Sequence, residues 1–158
     1  MAWTDDMVTM LRGLINDMSE PYTYEDGRLE TLLALSAVFV MQEVDFSAAY
    51  TINIATPSIS PDPVDNNDVD FQALVCLRTA CMITSGEFKV DAAKGVAIKD
   101  GPSSIDLSGR IKAREQVAKQ NCDNYERARV NYQIGDGSLG RAIVGPYGGV
   151  TDNTSGDF

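Results

Sequence analysis

The chain contains no histidine. That removes every catalytic triad built on imidazole, every His-ligated metal site and the commonest general base near neutral pH. Basic residues are also scarce, with 13 Lys and Arg against 23 Asp and Glu, a formal net charge of -10. Such a charge disfavours binding to phosphate backbones, which needs cations. No apolar run approaches the roughly 20 residues of a membrane-spanning helix. The longest extends from Leu32 to Met41 and is interrupted by Ser36. The first residues, Met1-Ala2-Trp3-Thr4-Asp5-Asp6, are acidic where a secretory leader would be basic. The cysteines are odd in number, Cys76, Cys81 and Cys122, with no CxxC pair. Cys76 and Cys81 are spaced so that they cannot converge as metal ligands on one helix. All three are expected as reduced, mostly buried thiols of a chain made in a cytosol. These absences argue against an enzyme, a metal or cofactor site and a membrane protein.

What is present is a globular core. With 158 residues and 44% hydrophobic composition, the chain fits one domain that removes about two-thirds of its unfolded surface on folding. A first helix is predicted over 5–19, with Thr4 as N-cap and Asp5 and Asp6 at its positive end. Met7, Leu11, Leu14, Ile15 and Met18 fall on one face, and Pro21 ends the helix. A second helix follows over 25–43, where Thr23 and Asp26 have the spacing of a capping box. Leu29, Leu32, Leu33, Phe39, Val40 and Val44 cover more than one of its faces, which places it centrally. Tyr50, Ile52 and Ile54 alternate with Thr51 and Asn53, the pattern of a half-buried strand over 50–55. As an isolated edge it needs a partner, from a hairpin further on or from a neighbouring subunit. Three prolines make 57–64 irregular.

A third helix is predicted over 69–84 and stops at Gly86. Two short alternating runs, 96–99 and 104–107, flank the turn Asp100-Gly101-Pro102-Ser103 and read as a hairpin. The fourth helix covers 109–133, with Ile111, Ala118, Cys122, Tyr125 and Tyr132 as a thin apolar stripe. Glycine then dominates: Gly135, Gly137, Gly140, Gly145, Gly148, Gly149 and Gly156. The fold class is therefore mainly α, with a helical body over 1–134 and an extended arm over 135–158. The arm carries Leu139, Ile143, Val144, Pro146 and Tyr147. Burying such side chains nearly balances the cost of ordering a glycine-rich segment. The arm is thus expected to be mobile in the free protein and ordered on a partner.

Familiar site patterns fail on inspection. Asp62, Asp65, Asp68 and Asp70 do not form a calcium loop, because Phe71 and Leu77 stand where Gly and Glu are required. They read instead as a loop leading into a helix cap. Gly135 to Gly140 follows a helix rather than a strand and lacks the lysine of a phosphate loop. Ser103 and Ser104 have no histidine to activate them.

Charge is unevenly placed along the chain. Residues 1–70 hold 13 acids against Arg12 and Arg28, a net of -11, and the remainder nets +1. Arg110, Lys112, Arg114, Lys119, Arg127 and Arg129 cluster in the fourth helix. Copies of a molecule with an acidic and a basic part can associate head to tail, and such a contact closes into a ring when its rotation permits. Arg110, Lys112, Arg114, Arg127 and Arg129 are the expected inter-subunit charge contacts.

Several stretches together carry a resemblance. They are Trp3-Thr4-Asp5-Asp6-Met7-Val8 through Asn16-Asp17, Tyr22-Thr23-Tyr24, and Asp45-Phe46-Ser47 to Ile54. Further along come Ile59-Ser60-Pro61-Asp62-Pro63, Asp100-Gly101-Pro102-Ser103-Ser104-Ile105 and Gly140-Arg141-Ala142-Ile143-Val144. Over nearly its whole length the chain resembles head-tail connector (adaptor) proteins of tailed bacteriophages. The resemblance implies a mainly helical subunit, made in the host cytoplasm, of a virion ring that is commonly twelvefold. The ring sits in the neck, bridges the portal to the tail or tail-terminator protein, and lets double-stranded DNA pass without specific binding. It implies no cofactor, and an arm that grips the portal or a neighbour through Leu139, Arg141, Ile143, Val144, Pro146 and Tyr147. Two other classes stay open. An acidic nucleic-acid mimic should be acidic throughout, which the basic fourth helix opposes. An enzyme using Asp, Glu or Lys would need convergent acids on core elements.

Overall fold

The computed structural model describes residues 3–97 and 107–135. Within them lie four helices and one two-stranded sheet: α1 (Trp3–Ile15), α2 (Asp26–Glu43), β1 (Thr51–Asn53), β2 (Ser58–Ser60), α3 (Val69–Ala97) and α4 (Leu107–Gly135). The mainly helical fold is as the sequence indicates.

α1 is shorter than its periodicity suggests. Asn16 adopts φ 58°, and two hydrogen bonds close the end: Asn16 N–H to Gly13 O (3.4 Å) and Asp17 N–H to Arg12 O (2.9 Å). This is a Schellman-type cap, with asparagine tolerating the left-handed conformation. The expected stripe is only partly buried. Trp3, Met7, Val8, Leu11 and Arg12 are buried, whereas Leu14 and Met18 are exposed.

α2 begins one residue later than expected, and its capping box does not form. Glu25 is the N-cap residue and makes no side-chain cap bond. Asp26 binds Arg12, and the Thr23 N–H donates to Asp17 (2.8 Å). Leu29, Leu33, Ala37 and Val40 are buried, but Phe39 is partly exposed.

The strand is not isolated. β1 pairs antiparallel with β2 in the register Thr51–Ser60, Ile52–Ile59 and Asn53–Ser58. Asn53 makes the turn by accepting from the Ala55 and Thr56 amides (3.0 and 3.3 Å). The expectation of an irregular 57–64 is therefore corrected at 58–60. Prolines 57 and 61 flank the paired residues without occupying the ladder, as edge strands permit.

α3 and α4 form a long antiparallel hairpin, each about 43 Å long at the usual rise. Cys81 meets Cys122, and Asp91 meets Arg110 and Arg114. Asp68 caps α3, accepting from the Phe71 N–H (3.1 Å), as the acidic loop suggests. Gly86 does not terminate α3. It sits on the helix surface with nothing within 4 Å of a notional Cβ, so its cost in the helix is only propensity. The expected hairpin over 96–107 is corrected at its ends: Val96 and Ala97 continue α3, and Leu107 begins α4. Residues 98–106 between them lie outside the described residues.

The cysteine expectation is also overturned. Cys81 and Cys122 are joined by a disulfide, with Cα atoms 4.6 Å apart, and only Cys76 is a free thiol. Their meeting follows from the hairpin register, which spacing along the chain does not reveal.

The core lies where α1 and α2 pack on α3, closed at one end by α4 and the sheet. Tyr50 stacks on Phe71 with centroids 4.0 Å apart, and Phe46 meets Phe71 edge-on at 5.2 Å. From α4, Ala118 and Tyr125 are buried, and Tyr132 packs against the core, as the thin stripe indicates.

Candidate interaction surface

Three polar nodes hold the elements that present the surface. The first is Arg12, buried at the end of α1. Its guanidinium donates to Asp17 (2.6 Å), the Tyr24 carbonyl (2.8 Å) and Asp26 (2.6 Å), and lies over the Tyr22 ring at 3.9 Å. The hydrogen bond to Asp26, opposed by burial, raises its pKa. This planar fork fixes the α1–α2 connection from several directions.

The second node joins α2, α3 and α4. The Tyr125 hydroxyl donates to Glu43 (2.5 Å), Arg78 pairs with Glu43 (3.3 Å), and Gln133 donates to the Glu43 carbonyl (3.0 Å). Burial first, and the bond to Glu43 second, raise the Tyr125 pKa. Tyr50 is raised in the same way by burial and by its bond to Asp68 (2.6 Å).

The third node lies further along the hairpin. Arg114 pairs with Asp91 (3.0 Å) and Glu87 (3.6 Å), Arg110 with Asp91 (3.8 Å), and Tyr24 donates to Glu87.

These nodes redistribute the expected contacts. Arg110 and Arg114 face acids of α3, and Arg129 pairs with Glu126 (2.6 Å) on its own helix. Lys112, Lys119 and Arg127 are exposed on α4 and make no ion pair among the described residues. The cationic face of α4 is therefore narrower than its composition. Tyr50 is buried, Ile52 is half-buried opposite Ile59, and Ile54 is exposed in the turn. Pairing of β1 is satisfied within the chain on one edge. Leu139, Arg141, Ile143, Val144, Pro146 and Tyr147 lie outside the described residues.

The sequence reading missed the Arg12 node entirely. Arg12 is the one base among the acids of the first helix and falls on its apolar side, which was the available signal. It also placed Leu14 on the apolar face, whereas Leu14 and Met10, one turn apart on α1, are both exposed.

Burial pushes the Cys76 thiol up to about 12, so it is not a thiolate near neutral pH. Among the described residues, no group of three or more His, Cys, Asp or Glu could hold a metal ion. No helix of the described residues is long and apolar enough to cross a membrane. No family model matches the chain, and no curated protein or solved structure does.

Proposed function

We propose that this chain is a structural subunit of a bacteriophage neck ring, joining the portal to the tail around the DNA passage. The observation that carries the reading is the separation of charge by element. The first 70 residues net -11, while exposed Lys112, Lys119 and Arg127 project from α4. A heterologous contact between those parts of successive copies forms a ring if it closes. The resemblance to head-tail connectors supplies the biological setting. The hairpin of α3 and α4, cross-linked and internally ion-paired, is a rigid strut suited to such a ring. An acidic inner surface would let duplex DNA slide without adhering. No catalytic role is part of the proposal, and the partners are further copies, the portal and a tail protein.

One observation favours a second reading, an acidic mimic of nucleic acid. Three of the α4 arginines pair with acids of the chain itself, which narrows the unpaired cations of α4 among the described residues to Lys112, Lys119 and Arg127 while the net charge stays at -10. Negative-stain microscopy of the full chain, alone and mixed with portal, separates the two. Rings or capped portals are expected. Monomers at every concentration, together with capture of a basic DNA-binding protein, would replace the connector reading with the mimic.

A further inference from the structure

Cys81 and Cys122 stand near the middles of α3 and α4, and their bridge is the one covalent tie between the two helices among the described residues. The helices differ in what else holds them. α3 buries Phe71, Leu74, Val75 and Ala80 in the core shared with α1 and α2. Among the described residues of α4, only Ala118 and Tyr125 are buried. Its polar contacts include Tyr125 and Gln133 on Glu43, and Arg114 on Asp91 and Glu87. A helix with so little apolar area buried is only marginally held by packing. The two sulfurs also differ in access. Cys122 is half-buried on α4, whereas Cys81 is 9% exposed. The Ser85 hydroxyl lies 3.5 Å from the Cys122 sulfur. Cys76 stands apart, fully buried beneath α1 with its sulfur 3.6 Å from the Met7 carbonyl.

We propose that Cys81 and Cys122 form a reversible redox site, opened by a dithiol, whose state sets whether α4 stays docked on the rest of the molecule. A thiolate of the dithiol attacks the accessible Cys122 sulfur. The bond between the two protein sulfurs breaks with its electron pair on Cys81, which takes a proton. The second thiolate of the dithiol then attacks its own sulfur in the mixed disulfide and releases Cys122, which takes the second proton. The Ser85 hydroxyl is placed to donate to that departing thiolate. The dithiol leaves as a disulfide, having given two electrons and two protons. Cys76 is too deeply buried to intercept either mixed disulfide, so exchange is confined to one pair. With the bridge closed, α4 cannot leave α3 without remaining tied at Cys81, which restricts the open state. With it open, α4 depends on two buried side chains and its polar contacts. Undocking frees Tyr125 from Glu43 and lifts Tyr132 from Phe46, whose ring it meets at 5.2 Å. Local openings of this kind occur in the least apolar element while the core stays folded. The inference concerns the chain's own thiols and stands whether or not the ring reading does.

The test treats the full-length protein with excess dithiothreitol in the absence of denaturant, then reads alkylation by mass spectrometry and hydrogen exchange by helix. Cys81 and Cys122 should become alkylated while Cys76 does not. Amides of 115–130 should then exchange at least about tenfold faster than in the bridged protein, while α1 and α2 stay protected over the same interval. Oxidised glutathione should restore both the linked Cys81–Cys122 peptide and the slow exchange of α4. Cys122→Ser should behave as the reduced protein does and ignore the dithiol. A bridge that resists dithiothreitol until denaturant is added would overturn the proposal. So would equal α4 exchange with the bridge open and closed. Loss of protection in α1 and α2 together with α4, or alkylation of Cys76, would make the bridge a staple of the whole fold and overturn it as well. The comparison of the natural chain with and without dithiol decides the matter even if Cys122→Ser does not fold.

Discussion

Arg12 is the residue on which the α1–α2 connection turns. Its side chain is 7% exposed and that of Asp17 is 6% exposed, so removing one partner leaves a buried charge unmatched. Arg12→Met keeps the stem and deletes the charge. It should lower unfolding free energy by about 3–5 kcal/mol in urea titration, whereas Arg129→Met, whose partner Glu126 is exposed, should cost less than about 1 kcal/mol. Tyr50 and Tyr125 make a second residue-scale prediction. Their folded pKa values lie above that of free tyrosine, so the native state keeps protons that the unfolded chain releases. Stability is full below about pH 10 and falls as pH rises above it, by up to about 1.4 kcal/mol per unit for each tyrosine. Denaturation midpoints measured between neutral pH and pH 11 should fall only above that point. A flat profile would mean that neither hydroxyl is held as described.

At the scale of elements, α3 and α4 depend on each other. α4 buries little besides Ala118 and Tyr125, and its otherwise largely polar surface could not hold it alone. The disulfide compensates by closing a loop with a sequence separation of 41. Chain-entropy reasoning gives such a loop about 4 kcal/mol as an upper value. Replacing Cys81 and Cys122 by Ser should therefore lower stability by about 2–4 kcal/mol, read by thermal or urea unfolding. The same protein, kept intact and unreduced, should carry one titratable thiol, Cys76, that reacts only on unfolding. Two or three reactive thiols in the native chain would contradict the bridge.

For the whole molecule, self-association should be electrostatic and salt-sensitive. Lys112→Glu with Arg127→Glu reverses two exposed charges without touching an internal ion pair. In sedimentation at low salt, the double variant should associate at least about tenfold more weakly than the parent, with unchanged helical circular dichroism. Raising ionic strength should narrow that gap, because exposed charges are screened within about a nanometre. Equal association of the two proteins would remove this face of α4 from the contact.

The residues alone determined that the protein is helical and that α4 presents a thin apolar stripe, whereas the central helix they pointed to, α2, is displaced from that place by α3. The first two follow from hydrophobic period, and period is local. The residues also indicated a cap at the end of the acidic loop before α3, which Asp68 supplies, because a carboxylate before an apolar helix satisfies amides a few residues away. Chain order did not disclose contacts between distant residues. The pairing of Ser58–Ser60 with Thr51–Asn53 depended on a turn made by Asn53, hidden among prolines. Gly86 looked like a stop, yet α3 continued through it, since packing against α4 outweighs a propensity cost of about 1 kcal/mol. The disulfide and the neutralisation of Arg110 and Arg114 arose from one cause, the antiparallel register of α3 and α4. Only that register, a property of the packed pair, decided which charges stay exposed and which face each other.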